Sequence, residues 1–202
     1  MLTRRSLIAG AAALALAPIP LLAQHQDLGV TESDSEAPLA RRWMMEDTLG
    51  NVVTNLDYSG KFVLIYFGYT GCPDVCPTTL ATLAEAIEML GEDVEHLAPL
   101  FVTVDPDRDT AQLLRDYTGF MHPAIIGLRG PLAYTDHMVK TFNARYEKYV
   151  PDPATPERYS IDHTASVAVV GPDGQLVKRF PHGTPPDQIA DEMRALIASL
   201  TQ

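Results

Sequence analysis

The chain has 202 residues, 46% of them hydrophobic, which suits one globular domain with a buried core rather than two domains plus an export segment. Its formal net charge of −11 argues against a nucleic-acid partner, because phosphate binding requires a positive surface. The two cysteines cannot build a disulfide scaffold, and they can form only one disulfide, one redox pair or part of one metal site.

The first 23 residues have the pattern of a targeting segment. Arg4 and Arg5 precede an acid-free apolar run from Leu7 to about Ala23, and this start resembles a bacterial twin-arginine signal. The run is short for a bilayer span of about 20 residues and contains prolines, so we expect a cleaved signal peptide, with a retained N-terminal membrane anchor as the alternative. Either one places the protein outside the cytoplasm, in the periplasm or on the inner membrane facing it.

A polar, acidic stretch over residues 24–37 predicts a linker, and the folded domain is predicted over 38–202. Arg42 to Glu46 and Val52 to Leu56 are predicted to pair as a small hairpin. The continuous apolar run from Phe62 to Phe67 is typical of a central strand covered on both faces, which requires helices on both sides.

The elements after this strand alternate between helix and strand. A helix is predicted from a stripe at helical spacing, formed by Leu80, Leu83, Ala84, Ile87 and Leu90, with Gly91 placed to end it. The remaining predictions are a strand Leu100 to Val104, a helix capped by Asp109 or Thr110, a strand Ile125 to Leu128, a helix from Pro131 to about Phe142, a hairpin of Val167 to Val170 with Gln175 to Phe180, and a helix from about Pro185. This order predicts an α/β domain with a thioredoxin-like fold, in which helices flank a central mixed sheet that follows an N-terminal hairpin.

The candidate reactive site lies where the first central strand runs into the helix, because a ligand crevice is expected beyond the carboxyl end of such a strand. This segment, Gly68 to Pro77, contains Cys72 and Cys76, and each cysteine precedes a proline. We therefore expect both thiols in the loop and cap of the helix rather than in its body. Unpaired backbone N–H groups and the helix dipole favour a thiolate there.

The spacing of the cysteines bears on their chemistry. Three residues separate them, whereas the thioredoxin-type redox motif has two, which weakens a plain disulfide-exchange interpretation. Thiolates select soft metals such as Cu(I) or Zn(II), and two thiolates leave a site short of ligands. His163 is the candidate third donor, because its segment leads into the predicted strand Val167 to Val170 near the active loop. The alternative for the two cysteines is a structural disulfide. The alternative for His163 is a histidine whose hydrogen bonds are satisfied at a strand edge.

Together these motifs resemble the Sco/SenC copper proteins of cytochrome oxidase assembly, over about Pro38 to Leu200. The similarity is carried by Gly68 to Pro77, Val104 to Thr110, Asp162 to Thr164 and Gly171 to Gly174. It implies a thioredoxin-like fold that binds one copper ion, Cu(I) or Cu(II), through Cys72, Cys76 and His163. It also implies delivery of copper to, or reduction of, the dinuclear copper centre in cytochrome c oxidase subunit II, with an upstream copper donor and a thioredoxin-like reductant as further partners.

Two other functions stay open beside a copper metallochaperone that is not a turnover enzyme. One is an extracytoplasmic thiol-disulfide oxidoreductase or thiol peroxidase, in which Cys72 and Cys76 form a catalytic redox-active pair. The other is a copper sensor that acts through protein contact alone.

Asp162, Asp105 and Tyr69, near the candidate site, have structural roles in these predictions. Adjacent residues on a strand point to opposite faces, so Asp162 is expected to face away from His163. Asp105 is expected to form a turn or cap, with the tuning of docking or of copper as the alternative, and Tyr69 is expected to pack beside the site. The other histidines are expected at the surface or in packing positions.

Overall fold

The computed structural model describes residues 41–201. The predicted signal segment over 1–23 and the predicted linker over 24–37 lie outside the described residues, and these domain boundaries stay predictions. Within residues 41–201, no helix combines the length and the hydropathy needed to cross a bilayer.

The described part of the chain alternates strands and helices in the predicted manner. In chain order the elements are β1 Met44–Asp47, β2 Val52–Thr54, β3 Phe62–Gly68, α1 Val75–Leu90, β4 Leu97–Thr103, α2 Ala111–Met121, β5 Ile126–Arg129, α3 Leu132–Thr141, β6 Tyr146–Tyr149, β7 Ser160–His163, β8 Val167–Val170, β9 Leu176–Phe180 and α4 Pro186–Ala198. Short 3-10 helices cover Asn55–Tyr58, Gly91–His96 and Ser199–Thr201.

The main sheet has seven strands in the order β2-β1-β5-β4-β3-β8-β9. Strands β3, β4 and β5 are parallel neighbours, whereas β8 and β9 continue the sheet in antiparallel pairing. At the other edge, β1 and β2 form the predicted N-terminal hairpin. The sheet is therefore mixed, and the chain has the predicted thioredoxin-like fold.

Strands β3 and β4 form the centre of the core, since every residue of both strands is buried. Side chains alternate between the two faces of β3: the Tyr66 hydroxyl donates to the Val75 carbonyl of α1, while Val63 and Ile65 face a cavity that Trp43 and Phe142 also line. Strand β4 begins at Leu97 rather than at the predicted Leu100, and includes a proline, whose missing N–H ordinarily argues against a central strand.

Helix α1 presents its predicted apolar stripe to the core and ends where it was expected to end. Four of the five predicted stripe residues are buried, namely Leu80, Leu83, Ile87 and Leu90. Gly91 follows with φ of 59°, in the left-handed region that glycine adopts without strain. At the next helix, Thr110 is the cap, and its hydroxyl accepts a hydrogen bond from the Leu113 N–H.

A second sheet, which the sequence did not predict, consists of β6 and β7 alone. The two strands pair antiparallel, with Tyr146 opposite His163. The prediction that His163 lies at the start of the strand Val167 to Val170 was wrong, because this residue ends β7 instead. Strand β6 is mostly exposed and carries two charged residues, so it lacks the apolar run that identifies a strand.

Candidate metal centre

The two cysteines lie on either side of the start of α1. Cys72 lies in the loop after β3, as predicted, and its N–H donates to the Tyr69 carbonyl at 3.2 Å. Cys76 is the second residue of α1, so it lies in the first turn of the helix rather than in the loop or cap where it was expected. Pro77 follows it without penalty, because backbone N–H groups in a first helical turn need no intrahelical acceptor. The Cys76 N–H instead donates to Sγ of Cys72 at 3.4 Å.

The structure brings the three predicted ligand residues together. The ligand atoms of Cys72, Cys76 and His163 all lie within 4.8 Å of one another. Cys76 has no exposed surface, whereas Cys72 and His163 are each 9% exposed. Among the residues that the structure describes, no other three His, Cys, Asp or Glu side chains converge in this way. The site is thus a buried cluster of two sulfurs and one imidazole, in which Cys72 and His163 keep a small exposed fraction and Cys76 has none.

The tautomer of His163 follows from its hydrogen bond. Nδ1 lies 3.3 Å from the carbonyl oxygen of Thr164, and because a carbonyl only accepts, Nδ1 carries the hydrogen. The lone pair of Nε2 then faces the site, 3.0 Å from Sγ of Cys76. Desolvation by burial lowers the pKa of His163, which favours the neutral imidazole that a metal requires.

Two tyrosine rings hold the imidazole in place. Tyr66 and Tyr69 each contact the His163 ring edge to face, at 6.0 Å between ring centroids. Tyr69 is buried beside the site, as predicted, and its hydroxyl accepts a hydrogen bond of 3.3 Å from the Ile161 N–H of β7. The loop that carries Cys72 therefore contacts the strand that carries His163 directly.

The predicted activation of the thiols is wrong for Cys76. Desolvation by burial raises the pKa of the Cys76 thiol, which outweighs the helix N-terminus that faces it. Burial therefore favours the protonated thiol over the thiolate in the metal-free protein. A bound cation would supply the positive charge that makes the thiolate stable in this buried position.

The segment after β4 contributes buried carboxylates whose roles were missed. Asp109 was considered only as a helix cap, yet it is 1% exposed and accepts hydrogen bonds from the N–H and hydroxyl of Thr70. Thr70 lies at the start of the loop over residues 69–74, which carries Cys72 and is called the cysteine loop below. Asp105 forms the predicted turn through its carbonyl, but its carboxylate also binds Tyr159 and Arg108. The available signal was the placement of Asp105 and Asp109 in the short segment between a fully buried strand and the next helix.

Asp162 and the other described histidines lie where they were expected. Asp162 is exposed and His163 is buried, in keeping with the alternation along β7. The remaining histidines pair outside the site: His96 with Glu95, His122 with Glu88, His137 with the carbonyl of Arg42, and His182 with Thr79. His25 lies outside the described residues.

Comparison with known proteins identifies relatives of the whole described domain. The family model SCO1/SenC matches residues 31–198. The chain is 32% identical to a SCO2-like protein of Rickettsia felis over 148 residues, which cover 73% of this chain and 72% of that protein. It is 34% identical to the human mitochondrial SCO1 homolog over 133 residues, 65% of this chain, and spans only 44% of that relative's length.

Two solved structures of relatives have the same fold and contain copper. Copper-bound ScoI of Arabidopsis thaliana has a TM-score of 0.70 and 30% identity, covering 78% of this chain and 97% of that chain. Copper-bound ScoI of Bradyrhizobium japonicum has a TM-score of 0.70 and 31% identity, covering 77% and 97% respectively.

Proposed function

Because the chain belongs to the SCO1/SenC family, we propose that it binds one copper ion through Cys72, Cys76 and His163. The observation that carries this proposal is the convergence of these ligand atoms to within 4.8 Å in a buried cluster. The structures of its Arabidopsis and Bradyrhizobium relatives contain copper, which supports copper as the ion.

Cu(I) is the oxidation state that the donor set favours. Two thiolates and one imidazole are soft ligands, and thiolates select Cu(I) over hard cations. Structural Zn(II) takes four protein ligands, and no fourth His, Cys, Asp or Glu joins the three within residues 41–201. Because Cys72 and His163 keep a small exposed fraction, a ligand of the receiving protein would enter beside them before the ion leaves.

Copper loading would depend on the oxidation state of the thiol pair. Both cysteines are free thiols, and they lie close enough for the backbone N–H of Cys76 to reach the Cys72 sulfur. A disulfide between them would remove both anionic ligands and release the ion. A thioredoxin-like reductant would then restore the dithiol, and an upstream copper donor would reload it.

We propose that the receiving protein is cytochrome c oxidase subunit II, at its dinuclear copper centre, through either copper delivery or thiol reduction. This client is supported by the family resemblance alone. An acceptor of this kind requires the protein to act outside the cytoplasm, in the periplasm. The twin-arginine-like start of the sequence supports that location, by export or by N-terminal anchoring.

Metal titration of the reduced full chain tests copper binding. We expect one equivalent of Cu(I) to bind in competition with a Cu(I) chelator, and we expect Cys72→Ser, Cys76→Ser and His163→Ala each to weaken binding. The variant Asp162→Asn is the matched control, because Asp162 adjoins His163 but is exposed on the opposite face of β7. Unchanged affinity in His163→Ala would remove the imidazole from the site.

A thiol-disulfide oxidoreductase or thiol peroxidase is the second candidate, and the presence of two free thiols close together at the start of α1 favours it. Such an enzyme would turn over a disulfide or peroxide without metal, would require both cysteines and would tolerate His163→Ala. The complete burial of Cys76 and its raised pKa disfavour this function, because the thiolate is the nucleophile. Metal-independent turnover by the wild type that persists in His163→Ala would favour the enzyme over the metallochaperone.

A further inference from the structure

The strand that carries His163 needs support from outside its own sheet. Strand β7 pairs only with β6, and these two strands are not hydrogen-bonded to the main sheet. Cys76 belongs to α1, which the loop over residues 69–74 connects to the central strand β3, and residues 164–166 connect His163 to β8 of the main sheet. Because no backbone ladder joins β7 to the main sheet, side-chain contacts help to set the distance between the sulfur and the imidazole.

The loop between β4 and α2, residues 105–110, contacts the cysteine loop on one side. The buried carboxylate of Asp109 accepts hydrogen bonds from the N–H of Thr70 at 3.1 Å and from its hydroxyl at 2.5 Å. It also accepts one from the hydroxyl of Thr103, at the end of β4. The start of the cysteine loop is thus fastened to the end of the central sheet.

The same loop contacts the residue that precedes β7. Asp105, which is 3% exposed, accepts a hydrogen bond of 2.7 Å from the Tyr159 hydroxyl and forms an ion pair with Arg108. Arg108 donates through Nη1 to the Tyr159 carbonyl at 3.0 Å, and its guanidinium lies over the Tyr159 ring, 3.6 Å from the centroid. These contacts hold both the backbone and the side chain of Tyr159.

A single backbone turn joins the two sets of contacts. The carbonyl of Asp105 accepts hydrogen bonds from the N–H groups of Arg108 and Asp109, at 3.2 and 2.9 Å. Any shift of the turn would therefore move the supports of Thr70 and Tyr159 together. Buried carboxylates are costly to desolvate, and here each one is hydrogen-bonded to an element that carries a proposed ligand.

We propose that residues 105–110 are a positioning loop that sets the distance between the thiols and His163. Asp105 and Arg108 are positioning residues for the imidazole, and Asp109 is the positioning residue for the cysteine loop. The proposal rests on the proposed copper site and adds to it the residues that make its geometry.

A double-mutant cycle on the full chain tests this loop. Tyr159→Phe removes the hydroxyl bound to Asp105 but keeps the ring, and Asp105→Asn removes the charge with little change of shape. We expect each substitution to lower Cu(I) affinity about tenfold, which is the lower end of the effect typical of groups that orient a metal ligand. Asp107→Asn is the matched control, because Asp107 is an exposed acid of the same loop.

Each variant is then combined with His163→Ala. If Asp105 and Tyr159 act through the imidazole, their effects vanish in that background, whereas Thr70→Val, which acts on the cysteine loop, weakens binding in both backgrounds. Urea unfolding checks that the metal-free variants are folded. If Asp105→Asn and Tyr159→Phe are folded and lose the same Cu(I) affinity with and without His163, the positioning role is overturned while the copper site stays intact. A wild type that binds no Cu(I), or binds it equally after His163→Ala, would instead refute the proposed three-ligand site and this role with it.

Discussion

Sγ of Cys76 lies 3.0 Å from Nε2 of His163, although 87 residues separate the two in the chain. Helix α1 carries the sulfur and strand β7 carries the imidazole, so the contact exists only in the folded protein. Both groups are buried, and Cys72 completes the set at the solvent side. An ion would enter past Cys72 and His163 and meet Cys76 last.

Gly68 leaves no room for a side chain beside the Cys76 sulfur. A Cβ atom at Gly68 would lie 2.9 Å from Sγ of Cys76 and 2.7 Å from a ring carbon of Phe101. We expect Gly68→Ala to lower the free energy of unfolding by about 1–3 kcal/mol, as overpacking of a core does, and to weaken Cu(I) binding by displacing Cys76. Urea unfolding and chelator competition measure the two effects.

Gly71→Ala is the matched control for this substitution. A Cβ atom there would lie 3.6 Å from the Tyr69 ring, an ordinary contact, in the loop that follows β3. If Gly68→Ala had the same stability and the same Cu(I) affinity as Gly71→Ala, the close approach of β3 to the Cys76 sulfur would not restrict the residue at position 68.

Oxidation of the thiol pair should abolish copper binding. We expect the disulfide form to bind no Cu(I) at concentrations that saturate the dithiol, because both thiolate ligands are lost, and we expect a reductant to restore one equivalent. Equilibrium dialysis of the oxidised and reduced full chain measures this difference. Retention of one tightly bound Cu(I) by the oxidised protein would contradict the redox control of loading.

Copper should stabilise the folded chain by mass action. An ion that binds only the folded state at 100 times its Kd raises the free energy of unfolding by about 2.7 kcal/mol. We expect thermal unfolding of the reduced protein to shift upward with Cu(I), and no shift in the double variant Cys72→Ser with Cys76→Ser. A shift of the same size in that variant would place the stabilising ion elsewhere.

Thr110→Ala should lower the stability of the fold through the loss of a helix cap. The Thr110 side chain caps α2 by accepting from the Leu113 N–H, and loss of such a cap lowers the free energy of unfolding by about 1 kcal/mol. Thr82→Ala is the control, because Thr82 lies within α1 and its hydroxyl bonds only to the Thr78 carbonyl in the preceding turn. Chemical unfolding measures the stability of each variant. Equal stabilities of Thr110→Ala and Thr82→Ala would contradict the capping role of Thr110.

The parts of the fold that could be predicted are those with a strong local signal. The run Phe62 to Phe67 has no polar residue, and β3 is buried along its whole length. The stripe of α1 and the glycine that ends it also lie within one short segment. Strands β6 and β7 lack such a signal, because β6 is mostly exposed and β7 alternates exposed and buried residues over only four positions.

The candidate site, like the fold, has parts that could be predicted from the sequence and parts that could not. The identities of Cys72, Cys76 and His163 could be proposed from ligand chemistry and from the family resemblance, without knowledge of the strand that carries His163. The contacts of Asp109 with Thr70 and of Asp105 with Tyr159 join residues 39 and 54 positions apart. Such pairs depend on how elements pack, and no local pattern in either segment specifies the partner.

X-ray absorption spectroscopy of the copper-loaded, reduced full chain tests the three-ligand site most directly, because it reports the atoms bound to the ion. We expect two sulfur ligands and one imidazole nitrogen around a single Cu(I), with the imidazole signal absent in His163→Ala. A wild-type spectrum with sulfur ligands alone, unchanged by His163→Ala, would contradict the proposed site.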